Sequence, residues 1–146
     1  MLRFSFPIVI IDEDYRSENA SGLGIRALAQ AIEKEGFEVL GATSYGDLSQ
    51  FAQQQSRASA FILSIDDEEF TPGPELDPAV VNLRKFISEI RFRNAEIPIY
   101  IYGETRTSQH LPNDILRELH GFIHMFEDTP EFVARHIIRE ARSYLD

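Results

Sequence analysis

Two groups of carboxylates stand where an apolar run stops. Asp12, Glu13 and Asp14 directly follow Ile8–Ile11, and Asp66, Asp67, Glu68 and Glu69 directly follow the apolar stretch 60–65. Short apolar, β-branched runs of this kind read as strands covered on both faces. If the two strands are neighbours in a parallel sheet, Asp12, Asp14 and Asp66 meet at its carboxyl edge, where open α/β sheets build their sites. The other chemistry-bearing residues are weaker candidates. His120 and His124 fall four apart on a predicted strand, about 13 Å at about 3.3 Å per residue, too far for one metal; they read as partly buried or interface histidines. The serines sit in no nucleophile-elbow pattern. Ser21-Gly22-Leu23-Gly24 is neither a dinucleotide fingerprint nor a phosphate loop, and reads as an ordinary connection opening a helix. A flavin phosphate placed after the first strand would be repelled by Asp12, Glu13 and Asp14, which disfavours a small flavin protein.

The elements that must position these acids follow from periodicity. Ile25, Leu28, Ala29 and Ile32 form a helical stripe that Gly36 stops. Residues 38–42 read as a second strand, and Leu48, Phe51 and Ala52 as a short helix opening near Asp47. After the third strand, Pro72, Gly73, Pro74 and Pro78 mark a loop. Leu83, Phe86, Ile87 and Ile90 repeat the helical stripe. Residues 97–102 read as a fourth strand, 103–112 as a polar loop, Ile115, Leu116 and Leu119 as a short helix, and 121–126 as a fifth strand. Asp128 or Thr129 can cap a last helix with Glu131 in its first turn, carried by Val133, Ile137, Ala141 and Tyr144. Five alternating β-α units predict one α/β domain over 1–146: a flavodoxin-like, receiver-like three-layer sandwich around a five-stranded parallel sheet in the order 2-1-3-4-5. That order makes strands 1 and 3 neighbours.

Composition narrows the function. The 146 residues suit a single core, and a hydrophobic fraction of 43% is that of a globular chain. With no cysteine, disulfides and thiolate metal sites are excluded. No stretch approaches the roughly 20 apolar residues of a membrane span, and the N-terminus lacks the apolar segment of a signal peptide, so a soluble cytoplasmic protein is expected. The net charge of −10 argues against nucleic acid as a partner. Only Lys34 and Lys85 are lysines among 14 basic residues.

The arrangement of Asp12, Asp14 and Asp66 resembles the receiver domain of two-component signalling. That resemblance implies an acidic pair holding magnesium after strand 1 and a phosphoacceptor aspartate after strand 3. Hard carboxylate oxygens suit Mg²⁺, and a metal-neutralised aspartate can attack a phosphoryl group. The remaining receiver residues are missing. The fifth-strand segment His120 to Asp128 holds no lysine, Thr105 stands three residues past the fourth strand, and three further acids follow Asp66. A vestigial acidic site is therefore expected, with no catalytic, cofactor or metal residue in this chain.

A second resemblance covers nearly the whole chain. Phe122-Ile123-His124-Met125-Phe126-Glu127-Asp128-Thr129-Pro130-Glu131-Phe132-Val133-Ala134-Arg135 resembles a segment of the bacterial inducible arginine, lysine and ornithine decarboxylases, supported by Thr43-Ser44-Tyr45-Gly46-Asp47 and by Ile97-Pro98-Ile99-Tyr100-Ile101-Tyr102-Gly103-Glu104. The resemblance implies an N-terminal wing domain, followed elsewhere by a linker, a pyridoxal-phosphate domain and a C-terminal domain. It implies that the cofactor belongs to the catalytic domain, since neither Lys34 nor Lys85 has a Ser-x-His-Lys context. It implies as partners the catalytic domain and neighbouring subunits, in assemblies favoured by mild acid. Arg135, Arg139 and Arg142 recur at i, i+4 and i+7 and are the candidate interface, with the acids at 66–69 as a complementary surface. The Glu-Asp-Thr segment leans toward arginine as substrate. A stand-alone receiver or pseudo-receiver is the competing reading.

Overall fold

The computed structural model describes residues 6–44, 58–65, 78–104, 111–124 and 127–145, with Pro78 and Ala79 described as backbone only. The helix expected near Asp47, the loop 71–78 up to its last residue, Asp66 with the acids after it, residues 105–110, and Met125 and Phe126 lie outside the described residues.

The order is β1 (Ile8–Ile11), α1 (Ala20–Lys34), β2 (Val39–Ala42), β3 (Ala60–Ser64), α2 (Pro78–Arg93), β4 (Ile99–Gly103), α3 (Asn113–Leu116), β5 (Gly121–His124) and α4 (Pro130–Leu145). All strand pairs are parallel and the sheet runs β2-β1-β3-β4-β5, the expected order. β1 lies between β2 and β3, with Ile11 opposite Ala42 and Leu63.

Strand alternation divides the core in two. Ile8, Ile10, Ile62, Tyr100, Tyr102 and Ile123 pack on one face with the apolar stripes of α1 and α4. Val9, Ile11, Leu63, Ile99 and Ile101 pack on the other with α2 and Ile115 of α3. Both faces of the sheet are thereby covered, which is why the strands read as continuous apolar runs.

Local chemistry sets the element ends. α1 starts five residues before Ile25, its first buried large apolar residue, because the Asn19 side chain accepts the Gly22 N–H at 2.8 Å and caps the helix. The Ser21-Gly22-Leu23-Gly24 stretch is thus the first part of the helix itself. Gly36 follows with φ 97°, the left-handed conformation that suits glycine after a helix. β4 begins at Ile99, after Pro98, which lacks an N–H but lends its carbonyl to Phe61 N at 2.9 Å. In α4, Pro130 takes the first helical position. Among the described residues no helix is long and apolar enough to cross a membrane.

Candidate functional site at the carboxyl edge of the sheet

Asp12 and Asp14 lie together after β1, and both are used by their own loop. Asp12 is buried, at 3% exposure. Its Oδ1 accepts the Asp14 N–H at 2.8 Å and its carbonyl accepts the Tyr15 N–H at 2.9 Å, a turn that aspartate favours. Asp14 accepts from Ser17 N through its carbonyl at 2.8 Å and from Asn19 Nδ2 through its carboxylate at 3.3 Å. Arg26, reaching back from α1, donates through Nη1 to the carbonyls of Tyr15 and Ser17, both at 2.7 Å. The acids therefore shape the β1–α1 connection. Asp66 is outside the described residues, and among those described no group of three or more His, Asp or Glu side chains is placed to hold a metal ion.

On the α1/α4 side of the same edge lies a cleft of about 330 Å³. Gly24 and Leu28 of α1, Tyr102 of β4, Ile123 and His124 of β5, residues 127–129 and the start of α4 line it. The connection beneath it is closed by Asp128, whose carboxylate accepts the His124 N–H at 2.8 Å and sits 3.5 Å from His124 Nδ1. Asp128 therefore turns back toward β5, while Thr129 supplies the carbonyl that accepts Val133 N at 3.0 Å. Burial, with the negative charge of Asp12 second, pushes the Tyr102 phenol up to about 12, so it stays a neutral hydroxyl. Sequence reasoning missed this cleft. The signal available was Tyr102 itself, in step with Tyr100 on β4 and hence on the α1/α4 face.

The remaining candidates do not converge. His120 stands just before β5, with its ring 6.3 Å from that of Tyr100 and its Nδ1 accepting Ile99 N–H at a long 3.4 Å. Partial desolvation, helped by Arg91, holds its pKa below the usual imidazole value. His124 is engaged with Asp128, so the two histidines serve different neighbours. Lys34 and Lys85 are exposed on α1 and α2, and neither lines the cleft. These two side chains offer no enclosed amine to a pyridoxal phosphate. Arg135, Arg139 and Arg142 are exposed on α4, and among the described residues no carboxylate comes within ion-pair distance of them. The Arg142 guanidinium stands 5.8 Å from the centre of the Phe37 ring, which places the lower end of this stripe beside the end of α1.

A parallel 2-1-3-4-5 sheet with acids after the first strand defines the receiver-like class of α/β domains. The receiver domain of nitrogen regulatory protein C superposes over 98% of this chain and 99% of its own, with a TM-score of 0.68 at 11% identity. The family described as Orn/Lys/Arg decarboxylase, N-terminal domain, matches residues 20–144, and the chain belongs to it. Lysine decarboxylase LdcA of Pseudomonas aeruginosa is 27% identical over 143 residues, which is 96% of this chain and 18% of that protein. The solved structure of lysine decarboxylase A from Pseudomonas aeruginosa has a TM-score of 0.80 at 26% identity, over 97% of this chain and 19% of that one. The constitutive lysine decarboxylase of E. coli gives a TM-score of 0.64 at 18% identity over the same share of this chain. The chain thus spans about a fifth of the length of the decarboxylases it matches.

Proposed function

We propose that this chain is the non-catalytic assembly and regulatory domain of a cytoplasmic, pyridoxal-phosphate-dependent decarboxylase of a basic amino acid. The observation that carries this reading is the family match across residues 20–144, in relatives that extend far beyond it. Lysine is the proposed substrate, since the curated relative is a lysine decarboxylase; this replaces the lean toward arginine. The cofactor would be bound by the catalytic domain, which also serves as this domain's partner within the subunit. Arg135, Arg139 and Arg142, exposed on a chain of net charge −10, are the proposed contact with the acidic surface of a neighbouring subunit. Protonating surface carboxylates would weaken repulsion between subunits and favour assembly in mild acid.

The test uses the full-length protein. Light scattering should report larger particles at about pH 5–6 than at about pH 8, and removal of residues 1–146 should reduce that growth. Growth unaffected by the deletion would remove the domain from the explanation. Lysine-dependent release of CO₂ with added pyridoxal phosphate tests the activity; release from arginine alone would overturn the substrate.

The receiver reading is favoured by one observation, the superposition on a complete receiver over nearly the full length of both chains. Incubation with Mg²⁺ and acetyl phosphate separates the two. A stable phosphoaspartate, lost in Asp66→Asn, would establish a signalling receiver.

A further inference from the structure

The assembly reading leaves the α1/α4 cleft without a role. Among the described residues a second groove, between α2 and α3, holds two ion pairs, Arg84 with Asp114 and Arg91 with Glu118, beside the exposed Arg117. The α1/α4 cleft differs in three ways. Its volume of about 330 Å³ is in the range of small-molecule sites. Leu28, Ile123, Pro130 and Val133 give it apolar walls. Tyr102, only 5% exposed, lines it, and its hydroxyl makes no hydrogen bond among the described residues. The hydroxyl is therefore open to a ligand atom in the cleft as a hydrogen-bonding partner.

The sign of the charge follows from the surroundings. The described lining includes Glu127 and Asp128 and contains no lysine or arginine, with His124 held by Asp128. The charge of Asp12 acts on the Tyr102 hydroxyl as well. An anion would meet Asp12, Glu127 and Asp128, whereas a cation is drawn in. The neutral phenol oxygen can accept a hydrogen bond from an ammonium.

We propose that this cleft binds a small aliphatic primary amine in its ammonium form. The alkyl chain would lie against Leu28, Ile123 and Val133, and the ammonium would sit between the Tyr102 hydroxyl and the Glu127–Asp128 rim. The choice of an amine rests on the cleft. That such an amine is the chemical class a basic-amino-acid decarboxylase releases rests on the reading above, and would make the cleft a product-sensing site.

The experiment is a methyl NMR titration of the 146-residue chain with pentylamine, pentanol and pentanoate at constant ionic strength. Pentylamine should give saturable shifts at the Leu28, Ile123 and Val133 methyls, pentanol weaker ones and pentanoate none. Tyr102→Phe keeps the ring and should weaken pentylamine by about three- to tenfold. Glu127→Gln, on the exposed rim, should weaken it by up to about fivefold. Three results would overturn the proposal: no saturable shift with pentylamine, pentanoate binding as tightly as pentylamine, or unchanged affinity in both variants. Failure here with lysine decarboxylation intact in the full-length protein removes the amine site alone. Amine binding without any decarboxylation removes the enzyme reading alone.

Discussion

Arg91 and Glu118 are joined twice: Arg91 Nε donates to the Glu118 carboxylate at 2.9 Å, and Arg91 Nη2 donates to the Glu118 carbonyl at 2.8 Å. The same guanidinium donates through Nη1 to the carbonyls of Asn94 and Ile97, at 3.3 and 2.8 Å. One side chain, 15% exposed, therefore ties the end of α2, the α2–β4 connection and the turn before β5. A planar fork suits this task better than a point charge. Arg91→Ala should cost about 2–3 kcal/mol in urea unfolding, since several acceptors lose a charged donor. Arg84→Ala, which breaks a more exposed pair with Asp114, should cost at most about 1 kcal/mol. Equal losses would mean that the fork is no anchor.

The Arg84–Asp114 pair makes a separate prediction in acid. Arg84 Nε and Nη2 grip the Asp114 carboxylate at 2.6 and 3.2 Å. The hydrogen bond from Arg84 is the main cause holding the Asp114 carboxyl below its ordinary value of 3.8. A carboxylate depressed on folding stabilises the fold above its unfolded pKa, and that contribution is lost as pH falls through the folded pKa. The stability gap between wild type and Arg84→Ala should therefore be full at about pH 6 and smaller at about pH 2, below the ordinary value of 3.8. A gap that is the same at both values would show that the pair acts by packing alone.

His120 works in the opposite direction. Desolvation against Tyr100, with Arg91 nearby, holds its imidazole below the ordinary 6.5. A histidine depressed on folding is protonated first in the unfolded chain. Stability therefore falls as pH drops below 6.5 toward the folded pKa, and no further below both. The ring is partly open to solvent, so the effect is small. An NMR titration should place the His120 midpoint below 6.5, and His120→Gln should flatten the change in Tm between about pH 7 and pH 5. A midpoint above 6.5 would reject the desolvation account.

The fold was legible in the sequence because its strands are buried on both faces and its helices carry single apolar stripes. The run Ile8–Ile11 and the stripe Ile25, Leu28, Ala29 and Ile32 have few other readings. The start of α1 was not legible from that stripe, since Asn19 and the small residues after it contribute a cap and backbone rather than a large apolar contact. The acids at Asp12 and Asp14 were visible as carboxylates, but their use as loop acceptors depends on how the loop folds back on itself, with Asp14 N and Tyr15 N on Asp12 and Ser17 N and Asn19 Nδ2 on Asp14. The cleft was invisible for a similar reason. Tyr102 reads as one more residue of an apolar strand until α1 and α4 are placed on either side of it.

At Gly22 the β1–α1 loop and the helix approach too closely for a side chain. A Cβ there would run into the carbonyl oxygens of Ser17 and Asp14, both backbone atoms. Those carbonyls are fixed in turn, Ser17 by Arg26 and Asp14 by Ser17 N. Gly22→Ala must therefore displace the β1–α1 connection or the first turn of α1, at a cost of about 1–3 kcal/mol. Gly121→Ala is the control. Its Cβ would stand 3.3 Å from the Tyr100 ring, a tight contact but far short of the overlap with backbone at Gly22. The Gly22 variant should lose more stability in urea unfolding, and its amide spectrum should change at Asp14, Ser17 and Asn19 while β5 stays unaltered. A Gly22→Ala protein as stable as Gly121→Ala, with those amides unmoved, would show that the acidic loop is not held against α1 in this way.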